Sequence, residues 1–269
     1  APAAHSGHDM AAMFAPTAWG QLPPMVDTHV HFTGNPRGST DFRGSMDEAL
    51  RRLGQNGFDR VIVMPPPFAA GMPATYDIDS YRQAMVPFGK RVFLGGGGHV
   101  LNTMIHGTAP DRGTDDVKQS FRAQAEHIAA AGAVVFGEIA LHHLSLGVMG
   151  AGHPYEWVAP DHPLLLLLAD IAAEKNVALD FHIDLVPEDM DLPRRPGLSN
   201  TNPPRLKANL QGLERLLAHN RGARIVWAHA GSDPIGTRFP AVQRALLERH
   251  PNLYMSLRLS IAAPPPFMA

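Results

Sequence analysis

The sequence predicts an α/β fold built on a parallel sheet, and three observations carry that expectation. Short β-rich apolar runs recur along the chain at a spacing of roughly 30 to 45 residues. Segments of helical periodicity separate most of them. The composition, 45% hydrophobic and 18% charged over 269 residues, is that of a globular chain long enough to bury a large core.

In chain order, the runs are Met25 to Val30, Arg60 to Met64, Arg91 to Leu94, Ala133 to Ile139, Val177 to Phe181, Ala223 to Trp227 and Leu253 to Leu257. Helices are expected over Ser45 to Gln55, Asp79 to Phe88, Asp115 to Ala131, His162 to Lys175, Pro204 to Asn220 and Phe239 to His250. Capping chemistry agrees. Ser45 and Thr114 stand before acidic first turns, and Gly132, Asn176 and Asn220-Arg221-Gly222 stand where helices end. Strand-helix alternation of this kind closes either as an open doubly wound sheet or as a (β/α)8 barrel. No Gly-x-Gly-x-x-Gly follows the first run, which removes the usual reason to choose a dinucleotide fold. Gly95 to Gly98 follows the third run without a Lys-Ser/Thr and reads as a tight turn.

Composition narrows the partners. A net charge of −2 and only four lysines give no electrostatic case for nucleic acid. With no cysteine, disulfides, thiolate metal sites and a cysteine nucleophile are excluded. The longest apolar stretch, Leu164 to Ala173, is interrupted by Asp170 and is far short of the ~20 residues of a membrane span. Residues 1–24 are expected to form a flexible segment, with residues 25–269 as the barrel. The start at Ala1 suggests a mature terminus after export to the periplasm or outside, with the cytoplasm as the alternative. Within that segment His5 and His8 could bind metal only adventitiously.

The residues with chemistry gather at the ends of the runs. Asp27, His29 and His31 alternate along the first run, so they share one face of a strand, and two imidazoles in such a row can hold one metal ion. The fourth run ends in Gly137-Glu138-Ile139, the fifth in Asp180-Phe181-His182 and the sixth in Trp227-Ala228-His229. Parallel strands thus deliver His29, His31, Glu138, His182 and His229 to one end of the sheet, where barrels keep their active sites. Asp27 reads as a carboxylate that orients the histidines and does not itself ligate. Three further residues are substrate-binding candidates: His99 after the third run, His142 beyond Glu138, and Arg258 at the end of the seventh run, where it could hold a carboxylate or phosphate.

From Val26 onward the sequence resembles the amidohydrolase superfamily of metal-dependent hydrolases. The resemblance rests on Asp27-Thr-His29-Val-His31, Gly137-Glu138-Ile-Ala-Leu141, His182 and His229-Ala-Gly231. It implies a (β/α)8 barrel in which the first-strand pair holds the more buried metal and His182 and His229 hold a second. No lysine lies in the fourth run, so Glu138 takes the bridging role, as in the TatD-like branch. The resemblance also implies an aspartate base at the end of an eighth strand. No eighth strand is found before Ala269, Asp233 is a poor substitute by position, and the apolar ending Ile261 to Phe267 suggests an interrupted chain.

The function expected is a hydrolase that activates water on one or two divalent metals, zinc first, with Glu138 and His229 catalytic. It would cleave an ester, lactone, amide or phosphoester of a small molecule. The alternatives are a mononuclear metal-dependent decarboxylase and a non-catalytic metal-binding remnant. A homo-oligomeric assembly is a further expectation.

Overall fold

The structure is a computed structural model that describes residues 25–32, 41–69, 76–148, 153–230, 233–237 and 239–256. The His5/His8 segment and Arg258 lie outside the described residues.

Seven strands form one curled parallel sheet: β1 (Met25–Val30), β2 (Phe58–Val63), β3 (Val92–Gly97), β4 (Ala133–His143), β6 (Ala178–Ile183), β9 (Ile225–Trp227) and β10 (Leu253–Met255). They pair in that order, every neighbour parallel. Three short strands stand apart. β5 (Glu156–Trp157) pairs antiparallel with the end of β4, and β7 (Met190–Asp191) pairs with β8 (Arg205–Leu206) in a two-stranded ribbon. The connecting helices are α1 (Phe42–Gly54), α2 (Ile78–Met85), α3 (Val100–Gly107), α4 (Asp115–Ala130), α5 (Pro163–Lys175), α6 (Leu210–His219) and α7 (Pro240–Arg249). This is the expected α/β architecture as a half-barrel, an incomplete TIM-type barrel. Among the described residues no strand joins β1 to β10.

Local chemistry explains most boundaries. Thr114 caps α4 through a bond from Val117 N, and Asp115 and Asp116 favour its positive end. His162 caps α5, with Pro163 at its first position, and Asn176 closes it in the left-handed conformation at φ 56°. One start differs from expectation. Asp41 caps α1 by accepting from Gly44 N at 2.9 Å, so the helix begins three residues before Ser45. Gly95 to Gly97 also differ, since they belong to β3 and only Gly98 begins the turn. The segment before α6 is extended, because Arg205 and Leu206 pair with β7, and the Pro203-Pro204 step ahead of them disfavours helix.

The apolar core is continuous, running from Val61 and Val63 through Phe136 and Ile139 to Phe181 and Trp227. α5 is apolar almost all round, and Leu164, Leu165, Leu168 and Ile171 are fully buried in its seat between α4 and α6. No helix among the described residues is long and apolar enough to cross a membrane.

Candidate metal centre

The C-terminal ends of β1, β4 and β6, with the residues just past β9, converge on a single carboxylate. Glu138 on β4 is 3% exposed, and no lysine or arginine reaches it among the described residues. Its Oε2 lies 2.9 Å from His31 Nε2 and 3.4 Å from His29 Nε2. Its Oε1 lies 3.0 Å from His182 Nδ1 and 3.3 Å from His229 Nε2. The two oxygens therefore divide the four imidazoles two and two. His29 Nε2 and His31 Nε2 are 2.9 Å apart, and ligand atoms of His29, Glu138 and His229 lie within 4.8 Å of one another.

Neighbouring groups fix the rings. His31 Nδ1 faces the Met64 carbonyl at 3.0 Å, leaving Nε2 for the cluster. His29 Nδ1 lies 3.2 Å from Asp180 Oδ1, and His182 Nε2 lies 3.5 Å from Asp184 Oδ2. Asp180 comes this close because position 137 is glycine: a Cβ there would stand 2.8 Å from Asp180 Cβ. Gly98 does the same on the other side, where a Cβ would lie 2.5 Å from the Pro65 carbonyl that accepts from Glu138 N. His229 sits just past β9 with φ 54°, a left-handed conformation that costs an L-residue on the order of 1 kcal/mol. Its N–H donates to Ser256 Oγ.

Burial and charge compete at each group. Burial pushes the Glu138 carboxyl up, but the His29 charge and the bonds from His182, His229 and His29 hold it well below its ordinary value. Burial pulls His29 down, yet the Asp180 and Glu138 carboxylates hold it well above. Burial likewise opposes His182, which Asp184 and Glu138 lift to about 9. His229 is lowered, chiefly by burial.

All five residues expected as metal ligands are thus brought together. Asp27 stays one step away, accepting from the His29 N–H, and its carboxyl is raised mainly by burial. His99 precedes α3 with its ring against Phe68, and among the described residues no interaction joins it to the cluster. His142 is fully buried. Its Nδ1 faces the Asp184 carbonyl at 2.6 Å and its ring abuts Tyr155. A register shift lies between Ala140 and His142 on β4, and the His143 ring stands 4.6 Å from that of His182. Asp233 holds the turn at Gly236 and Thr237. Asp180 and Asp184 were not singled out from sequence, although Asp180-x-His182-x-Asp184 is a period-two row that strand geometry makes legible.

No model of a known protein family matches the chain, and no curated protein matches it. Among solved structures, it is similar to a sugar phosphate isomerase/epimerase from Anabaena variabilis, described there as putative, at 16% identity and TM-score 0.45, covering 86% of this chain and 73% of that one. It is similar to a dihydroxybenzoic acid decarboxylase from Polaromonas with bound manganese, at 11% identity and TM-score 0.40, covering 88% and 79%. It is also similar to an N-acetyl-D-glucosamine-6-phosphate deacetylase from Mycobacterium smegmatis, at 14% identity and TM-score 0.38, covering 86% and 47%. With every one of these scores below 0.5, the likenesses decide neither family nor activity.

Proposed function

We propose that this protein is a metal-dependent hydrolase of the amidohydrolase type, holding one or two divalent cations, zinc first, in the histidine-carboxylate cluster. One observation carries the reading: Glu138 presents each of its oxygens to a different histidine pair. The donor set fits a divalent cation. A buried carboxylate needs compensating positive charge, and here imidazoles are its only charge partners among the described residues. Four imidazoles and one carboxylate suit zinc, iron or nickel.

In this reading His29 and His31 would hold the first cation and His182 and His229 the second, with Glu138 contributing a carboxylate oxygen toward each pair. Bound cations supply Lewis acidity toward a substrate carbonyl or phosphoryl oxygen and acidify a water. Asp180 and Asp184 fix the orientation of His29 and His182, so the ligand lone pairs point inward before any cation arrives. The substrate is a small molecule with an ester, lactone, amide or phosphoester bond. A second reading, a mononuclear decarboxylase, draws on the tight grouping of His29, Glu138 and His229.

Elemental analysis of dialysed protein, together with ester, lactone, amide and phosphoester panels, tests both. The hydrolase reading expects more than ~0.5 equivalents of zinc, approaching two, with turnover on at least one panel. One equivalent with carbon dioxide release from a carboxylated substrate favours the decarboxylase. No bound metal overturns both.

A further inference from the structure

Two imidazoles away from the cluster lies a cavity of about 640 Å³, within the size range of small-molecule sites, lined by Ser145, Gly147, His153, Pro154, Tyr155, Ser199 and Thr201. Two imidazoles in contact lead from it to the centre: the His153 ring is tilted at 4.1 Å from that of His143, which meets the His182 ring edge-on at 4.6 Å. We propose that this cavity is the recognition pocket of the centre and that it takes an uncharged ring bearing hydroxyl groups. The proposal rests on the metal-centre reading above.

The lining decides the chemistry. Ser145, Ser199, Thr201 and Tyr155 each carry a hydroxyl, which both donates and accepts, as ligand hydroxyls do. No lysine, arginine or carboxylate lines the cavity among the described residues, so an anionic group would lack the charge-assisted partners it needs. His153 adds a donor without a charge. Its Nδ1 accepts from Leu146 N at 3.2 Å, so the neutral ring carries its proton on Nε2, and burial keeps it neutral. The His153 and Tyr155 rings supply flat faces for a ring to lie against.

The wall is built, not incidental. Asn202 is buried and ties the two loops that frame the cavity: its Oδ1 accepts from Ser145 N at 2.8 Å and its Nδ2 donates to the Ser145 and Ser199 carbonyls, both at 2.9 Å. Ser199 N donates to the Ser145 carbonyl, and Gly147 N to that of Gly197. Ser199 Oγ and Thr201 Oγ1 hydrogen-bond each other at 2.8 Å, and Ser199 Oγ accepts from Thr201 N at 3.2 Å, which fixes the two side chains relative to each other.

Titration calorimetry on the zinc-loaded full chain tests this with four probes: methyl α-D-glucopyranoside, 1,3-dihydroxybenzene, D-glucuronate and benzene. The glucoside or the dihydroxybenzene should bind, and whichever does tells a sugar ring from an aromatic diol. Glucuronate and benzene should bind at least ~10-fold more weakly. Tyr155→Phe and Thr201→Val should each weaken the hydroxylated probe about 3- to 10-fold, the loss of one hydrogen bond, with zinc content unchanged. Thr201→Arg should invert the preference toward glucuronate and stands as the control if either smaller variant fails to fold. Absence of binding by both hydroxylated probes, tighter binding of glucuronate or benzene, or indifference to all three substitutions overturns the pocket. Probe binding by protein that takes up no zinc overturns the metal-centre reading and, with it, this pocket's role in recognition for that centre; zinc uptake without probe binding overturns the pocket alone.

Discussion

β2 and β6 are six-residue strands of the same parallel sheet, yet they fill their buried rows with opposite chemistry. In β2 the fully buried side chains are Val61 and Val63. β6 buries Leu179, Phe181 and Ile183 on one row and carries Asp180 and His182 on the other, continued by Asp184 just beyond the strand. A parallel strand covered on both faces is ordinarily apolar throughout, because an unpaired carboxylate in the interior is expensive. Asp180 stands opposite His29, and Asp184 stands opposite His182 and also accepts from Leu144 N at 2.9 Å, so both carboxylates have compensation inside. β2 thus serves the core, whereas the inward row of β6 gives up apolar packing to hold imidazoles in place.

The sharpest way to break this comparison is to remove the charge on which the polar row converges. Glu138→Gln should drop zinc content from near two toward one, because His29 and His31 stay in place while the bridge loses its charge; hydrolytic turnover should fall by ~10²-fold or more. Elemental analysis and initial rates check both, and unchanged values make Glu138 structural.

A buried acid lacking a close imidazole partner sharpens the contrast. Glu156 on β5 is pushed up to about 7, first by burial, against a bond from Asn102. Its nearest imidazole, His106 at 3.8 Å, is lowered by burial and is engaged with the Ala140 carbonyl. A carboxyl raised in the fold favours folding while it is protonated. That contribution is fully present below its unfolded value near 4.5 and is lost as pH rises through about 7. Glu156→Gln should therefore match the wild type at pH 4.5 and exceed it at pH 8 by up to about 3 kcal/mol, read from urea midpoints.

Asp180→Asn tests whether the polar row positions ligands. Zinc affinity should fall about 10- to 100-fold, measured by chelator competition, while the fold holds. Loss of folding with no effect on affinity would make Asp180 a packing residue. Val63→Ala in β2 should behave in the reverse manner, with the smallest effect of the four. It should destabilise the protein by roughly 1–2 kcal/mol through the cavity it leaves, with zinc content unaltered.

The strand-helix alternation was legible because period-two and period-3.6 patterns are local, and all seven sheet strands fall where the apolar runs stand. α3 was missed because its eight residues follow the glycine run of β3 with no polar cap, and β5, β7 and β8 because two-residue strands carry no periodicity. The five ligand candidates were legible because parallel strands end on the same side of a sheet, so residue type and position sufficed. The placement of His142 and His143 was not legible, because the register shift on β4 beside them is marked by nothing in the local sequence.

The sequence by itself determined which histidines and carboxylate are candidate ligands and that they share one end of a parallel sheet, since strand direction and side-chain alternation follow from the chain alone. Only the tertiary structure decided how Glu138 divides its oxygens between two histidine pairs, that Asp180 stands behind His29, and that Ser145 and Ser199 line one cavity. Those contacts join strands and loops 40 to more than 100 residues apart, as with His182 and His31 to Glu138. Their distances depend on sheet curvature, on a register shift and on the close approach that Gly98 and Gly137 allow, and none of these is written in a local pattern.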